Sequence, residues 1–290
     1  MAYCQIGACA SQYTREGTTE FQKRGDGAPP ELGERTLATS NPAFSQDLFT
    51  GYGQVYGGTR STAMTVQGAV GKTFLLLAVL SATAIWSWMA AFHQQLDPIV
   101  LPVAGIGGFV LALVTIFKPT LAPWTAPVYA AFEGVLLGGA SFLIEMGLRG
   151  KGAYPGIAMQ AVSLTGATLF CMLFVYGTGL IRVTDKLRTG IVAATGAICL
   201  VYFTAIVLGL FGVSVPFLRT ATPIGIGIGV VIVGVAAFNL LLDFDFIEQG
   251  ARSGAPKYME WYGAFGLLLT LVWLYLEILQ LLRQIYDRGR

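Results

Sequence analysis

The sequence predicts an all-α, polytopic membrane protein, and three observations carry that prediction. Of its 290 residues, 54% are hydrophobic and only 12% charged, where a soluble domain usually carries about a quarter charged residues. The charges are unevenly placed: residues 1–60 hold eleven, and long stretches beyond hold almost none. Runs of roughly 20 apolar residues recur, which is the length that crosses a bilayer core, and helices of that length satisfy their own backbone groups in lipid. Seven spans follow, at Thr73–Phe92, Pro98–Phe117, Ala126–Leu148, Gly156–Ile181, Gly190–Val213, Pro223–Phe246 and Tyr262–Leu282. Their connections are short, so sequence neighbours pack antiparallel in one bundle.

Before the spans lies a polar segment, residues 1–64, rich in Gly, Ser, Thr, Pro and charge. It cannot bury enough apolar surface to offset its ordering entropy and reads as a flexible tail. It has no apolar h-region, so it is not a secretory signal peptide. The membrane domain is residues 65–290. At its start "VQGAVGKT", Val66–Thr73, imitates a phosphate-binding loop, but Val66 stands where the first glycine is needed and no strand precedes it. Lys72 reads instead as the basic anchor at the mouth of the first span. That span ends at His93, the only histidine, read as an interfacial residue. With one histidine, Ser–His and Cys–His catalysis has no partner besides His93, and no enzyme is expected. Nor do Cys4, Cys9, Cys171 and Cys199 fall at zinc-site spacing.

The second span closes on Lys118 in "TIFKP". The third carries Glu133 and the pair Gly134-x-x-x-Gly138, which lets neighbouring backbones approach closely in lipid. The fourth and fifth hold the scattered Cys171 and Cys199. The sixth repeats the small-residue spacing at Gly225-x-x-x-Gly229; its "GIGIG" has no helix start with dinucleotide chemistry. It then runs into "NLLLDFDFIEQG", where three carboxylates, Asp243, Asp245 and Glu248, end an apolar run. The seventh holds Glu277. Lys and Arg set the orientation. Arg60, Lys72, Lys118, Arg182, Lys186, Arg188, Arg252 and Lys257 fall on one side, and Arg149, Lys151 and Arg219 with the tail Arg283, Arg288 and Arg290 on the other. The bias puts the N-terminus in the cytoplasm. The basic tail opposes it for the last span, a conflict that a final helix crossing only part way would resolve.

Acids at membrane depth usually face a bundle interior or a water cavity. Asp243 and Asp245 lie about 200° apart on a helix and cannot share a face. Asp243 falls with Asn239, Leu240 and Ile247 on the side assigned to the interior. Asp245 and Glu248, three apart, are assigned to a solvated helix end.

"LLLDFDFI" and "LYLEILQLL", together with "TSNPAF", "MTVQGAVGKTFLL" and "MEWYGAFGLLLTLVWLYLEI", resemble the Bax inhibitor-1/YccA family, also called the transmembrane Bax inhibitor motif family, in its bacterial YccA-like branch. The resemblance covers about residues 64–285. It implies a bacterial inner-membrane location and seven helices with the last one central. It also implies a chain that begins near "TSNPAF", so residues 1–36 read as an upstream extension or a misassigned start, which N-terminal sequencing of the expressed protein tests. The implied mechanism is a proton shared between an acid on helix six and one on helix seven, which match Asp243 and Glu277, with Lys118 at the place of a basic residue that ties the helix-six acid. The implied activity is a pH-sensitive calcium leak, with Ca²⁺ or H⁺ as permeant ion, the bilayer as surroundings, and neither cofactor nor nucleic acid involved.

The physics is consistent with that mechanism. Two carboxylates held close in low dielectric cannot both ionise cheaply, so they share a proton and titrate together. Carboxylates that face water also suit Ca²⁺, which prefers oxygen ligands. Two departures stand out: Glu277 replaces aspartate, and the connection between the last two helices is long. Asp243 and Glu277 meet only if the early "YMEWYGAFG" protrudes from the bilayer. Glu133 either adds a cation ligand or hydrogen-bonds to nearby Thr or Tyr, and Asp245 is a second residue of a cation path. Two other readings compete. One is a regulatory protein that engages a membrane-bound AAA+ protease through residues 37–65. The other is an intramembrane aspartyl protease, which lacks its G-x-G-D motif here.

Overall fold

A computed structural model describes residues 63–149, 156–181, 183–212 and 221–288, all of which lie in one compact unit, Leu37–Arg290. The polar segment to residue 62, with Cys4, Cys9 and Arg60, lies outside the described residues, as do Lys151, Arg182 and Arg219. Among the described residues seven helices are long and apolar enough to cross a membrane. They are α1 (Val66–Phe92), α2 (Val100–Phe117), α3 (Ala122–Arg149), α4 (Ile157–Gly177), α5 (Asp185–Leu210), α6 (Pro223–Arg252) and α7 (Met259–Arg288). Among the described residues there is no strand beyond one isolated bridge, Ala63 to Pro256.

Local chemistry sets the helix ends. Thr65, Thr184 and Thr222 are N-caps whose hydroxyls accept from the backbone N–H of Gly68, Leu187 and Gly225, satisfying donors the first turn leaves unpaired. Pro223 follows Thr222 at the first helical position, where its missing N–H costs nothing. Gly254 just past α6 takes a left-handed φ of 70°, which ends a helix without strain only for a residue lacking Cβ.

Small residues set the packing. A Cβ on Gly134 would lie 2.3 Å from the Leu80 carbonyl oxygen, and one on Gly138 would lie 2.1 Å from that of Ala84. Their spacing therefore brings the α3 backbone directly onto α1. In the same way Gly107 and Gly108 of α2 receive Phe132 and Glu133 of α3. α7 is the most enclosed helix: 61% of its most apolar stretch is buried, against 11–39% for the others. It packs on α1, α3, α4 and α6, with α2 laid on α3 and α5 on α6. The Tyr129 and Phe265 rings meet edge-on at 5.1 Å within a core that runs along α7.

α7 also crosses fully. Gly263 near its start lies against Ile247, and Leu281 near its end lies against Gly229, close to the start of α6. The basic tail therefore sits at the end of the bundle opposite Lys72, Arg188 and Lys257, and a partial crossing is set aside.

Candidate functional site

The acids gather around α7 at different depths, and most hold partners that the spacing did not foretell. Asp243 is wholly buried, with Asn239, Leu240 and Ile247 buried on the same face. Asn239 anchors that face by donating to Thr195 Oγ1 at 2.9 Å. Glu277 is also buried. Its Oε1 accepts from the Tyr202 hydroxyl at 2.8 Å and from Trp273 Nε1 at 3.1 Å. An indole N–H can only donate, which fixes that oxygen as an acceptor.

The packing does not bring Asp243 and Glu277 together. Contacts of Gly263 with Ile247 and of Gly229 with Leu281 define the α6–α7 register. In that register Asp243 is level with Leu267 and Glu277 with Val233, an axial offset of ten residues, about 15 Å at roughly 1.5 Å per residue. Met259, Glu260 and Tyr262 are buried against the rest of the bundle, which holds the start of α7 in that register. The early "YMEWYGAFG" is core, so the expected proton-sharing pair is corrected on this point. Lys118 does not tie Asp243 either: it is exposed, at the C-cap of α2.

Asp245 and Glu248 are corrected as well. α6 continues to Arg252, so both acids stay helical and lie beside α4 and α5. Arg188 Nη2 donates to Asp245 Oδ2 at 2.5 Å, with side chains only 10% and 19% exposed, and Gln249 Nε2 donates to the same oxygen. Glu248 accepts from the Tyr176 hydroxyl and pairs with Arg252 at 2.5 Å. Six side chains from three helices thus form two neighbouring clusters, one centred on Asp245 and one on Glu248. Glu133 is half-buried, with its carboxyl against Gly108 of α2.

Two acids escaped the sequence reading. Glu145, buried late in α3, accepts from the Gly156 N–H at 3.0 Å; it lies inside the expected third span, and that placement alone marks it. Beside it, Ser141 and Tyr275 share a 2.7 Å hydrogen bond. All three border a cavity of about 640 Å³ between α1 and α4. Glu260 is completely buried in the first turn of α7, where it pairs with Lys72 and Lys257. Lys72 is accordingly an ion-pair partner rather than a simple anchor. Nothing local in "KYMEWY" shows this, because the partner is 188 residues away. His93 is exposed just past α1, and Cys171 and Cys199 are exposed and free. Among the described residues no group of three or more His, Cys, Asp or Glu is placed to hold a metal ion.

Depth along α7 orders the acids. Glu260 marks the Lys- and Arg-rich end. Asp243 is level with Leu267, and Glu133, one turn beyond the Tyr129–Phe265 contact, is near the same depth. Glu277 and Glu145, next to the Ser141–Tyr275 bond, lie toward the other end. The steps between levels are about 11 Å and about 15 Å.

A family model described as Bax inhibitor 1 like matches residues 41–287, which takes in all of α1 to α6 and α7 up to its penultimate residue. No curated protein and no solved structure matches.

Proposed function

The chain belongs to the Bax inhibitor-1-like family, and from that premise we propose that it is a proton-sensitive cation leak channel of the bacterial inner membrane, with its N-terminus cytoplasmic and Ca²⁺ as a permeant ion. One observation supports the reading: buried carboxylates at three depths along the most enclosed helix. Acids at membrane depth are costly and face interiors or cavities where ions or protons move. Stepped carboxylates give a divalent cation oxygen ligands at successive levels without one site deep enough to trap it. Tyr202 holds one of these acids, Glu277, in place.

The pH response follows from single acids rather than a shared proton. A protonated carboxyl no longer attracts a cation, so flux rises as pH rises through the range where these groups lose their protons. The purified protein in liposomes loaded with a calcium-sensitive dye tests this. Wild type carries Ca²⁺ faster at higher pH, and Asp243→Asn or Glu277→Gln slows it about tenfold or more, the factor for roughly 1.4 kcal/mol. No flux from wild type at any pH, or flux in both variants equal to that of wild type, would sink the reading.

A further inference from the structure

The start of α7 is joined to the start of α1 in a way unlike any other helix contact in the bundle. Elsewhere the described helices meet through apolar side chains, small residues, neutral polar groups, the Arg188–Asp245 pair and the Tyr202–Glu277 hydrogen bond. Here a wholly buried carboxylate holds two lysines. Glu260 Oε1 accepts from the Thr65 backbone N–H at 2.9 Å, from the Thr65 hydroxyl at 2.8 Å and from Lys257 Nζ at 2.8 Å, while Oε2 accepts from Lys72. The Thr65 hydroxyl relays the interaction, since it also accepts from the Gly68 N–H at 3.0 Å as the cap of α1. Lys72 lies 5.5 Å from the centre of the Trp261 ring. The chain just before α1 is laid on the α6–α7 turn by the Ala63–Pro256 bridge and by Met64 N–H donating to the Ala255 carbonyl at 2.7 Å.

Gly68 makes room for this arrangement. A Cβ there would sit 2.2–2.3 Å from the Glu260 carboxylate carbon and oxygens, so any side chain at this position forces the carboxylate to shift from its partners. The glycine of "VQGAVGKT" is thus accounted for by a carboxylate of the same chain, not by a phosphate.

A buried ion pair is a poor source of net stability, because desolvation offsets most of the attraction, while losing one partner is strongly unfavourable. Such a contact holds tightly when complete and gives way when any part is removed. We infer that Glu260 is the locking residue of a clasp that fastens the mouth of α7 to α1 and keeps the Lys- and Arg-rich end of the bundle shut. In the leak reading, on which this part rests, the clasp is the closed state at that end.

The test uses the full chain with Cys4, Cys9, Cys171 and Cys199 replaced by Ser and Ala69→Cys added, since Ala69 is fully buried one residue beyond Gly68. Reaction of this thiol with a membrane-impermeant maleimide in proteoliposomes reads clasp opening without reference to transport. Glu260→Gln, Lys72→Met and Gly68→Ala each raise the labelling rate roughly tenfold or more, the scale for losing a charge-assisted hydrogen bond. Gly68→Ala does so without altering any charge, and it decides the matter if Glu260→Gln fails to fold. Labelling that stays at the wild-type rate in folded Gly68→Ala and Lys72→Met overturns the clasp.

A second variant locks it. Ala63 and Pro256 face each other in an antiparallel bridge, where Cα atoms lie about 4.5–5.5 Å apart, within disulfide range. Oxidised Ala63→Cys/Pro256→Cys, without Ala69→Cys, abolishes dye-reported Ca²⁺ flux, and reduction restores it. Wild type without flux refutes the leak reading alone, because labelling still judges the clasp. Flux with unchanged labelling refutes the clasp alone.

Discussion

Removing Arg188 isolates the contribution of the network that joins α5 to the end of α6. Its guanidinium donates to Asp245 at 2.5 Å, with the two side chains 10% and 19% exposed. Taking away one member of a buried pair costs about 3–5 kcal/mol, because the other charge stays desolvated. Asp245 keeps the Gln249 donor and some access to solvent, which lowers the expectation for Arg188→Met to about 2–3 kcal/mol. Asp245→Asn leaves Arg188 facing an amide and costs about 1–2 kcal/mol. The double variant has no stranded charge and falls within about 1 kcal/mol of wild type, so the cycle yields a coupling of about 2 kcal/mol or more. Unfolding in mixed micelles titrated with a denaturing detergent measures all four proteins. Had α6 stopped at Phe246 and left Asp245 at a solvated end, each single change would shift stability by less than about 0.5 kcal/mol. Small single effects that simply add would therefore refute the network.

The other expectations use the same unfolding assay or the liposome flux assay. Gly138→Ala drives a Cβ against the Ala84 carbonyl, and since backbone cannot yield as a flexible side chain does, it costs about 1–3 kcal/mol; a neutral result would place α3 further from α1. Tyr275→Phe removes only the bond to Ser141 and costs about 0.6 kcal/mol, the usual value of a hydrogen bond between membrane helices. Tyr202→Phe removes a donor to Glu277; the freed carboxylate changes the pH profile of flux, whereas a purely structural tyrosine would lower flux equally at every pH.

How much of this was legible in the sequence depends on whether the governing contact is local. Helix number came through, because length and hydropathy are properties of a window. So did the inward face of Asp243, since phase along one helix is local too. The Gly134–Gly138 contact was legible as a surface but not as a partner, and α1 had to be seen. Helix ends were misplaced where polar residues continue a helix beyond the apolar run, as at Asp245–Arg252, because hydropathy falls there although the backbone stays helical. Glu260 was hidden for a different reason. Next to Lys257 and two aromatics it looks like an interfacial residue, and only folding brings Thr65, Gly68 and Lys72 onto it.

The separation of Asp243 from Glu277 follows from chain length alone once the α6–α7 turn is known. Two antiparallel helices joined by a tight connection bring residues level when each lies equally far from the turn. Asp243 is 9 residues from the end of α6 at Arg252, and Glu277 is 18 residues past Met259. The mismatch of 9 residues is about 14 Å of axis, too far for any rotamer of Asp and Glu to bridge. Closing that gap would slide α7 by more than two turns and pull Gly263 off Ile247 and Tyr262 out of the core. The acid that α7 does deliver to a partner helix at the basic end is Glu260, and the partner is α1. At that end α7 is fastened by a carboxylate held by lysines and a threonine cap, while Asp243 and Glu277 lie deeper in the bundle at separate levels.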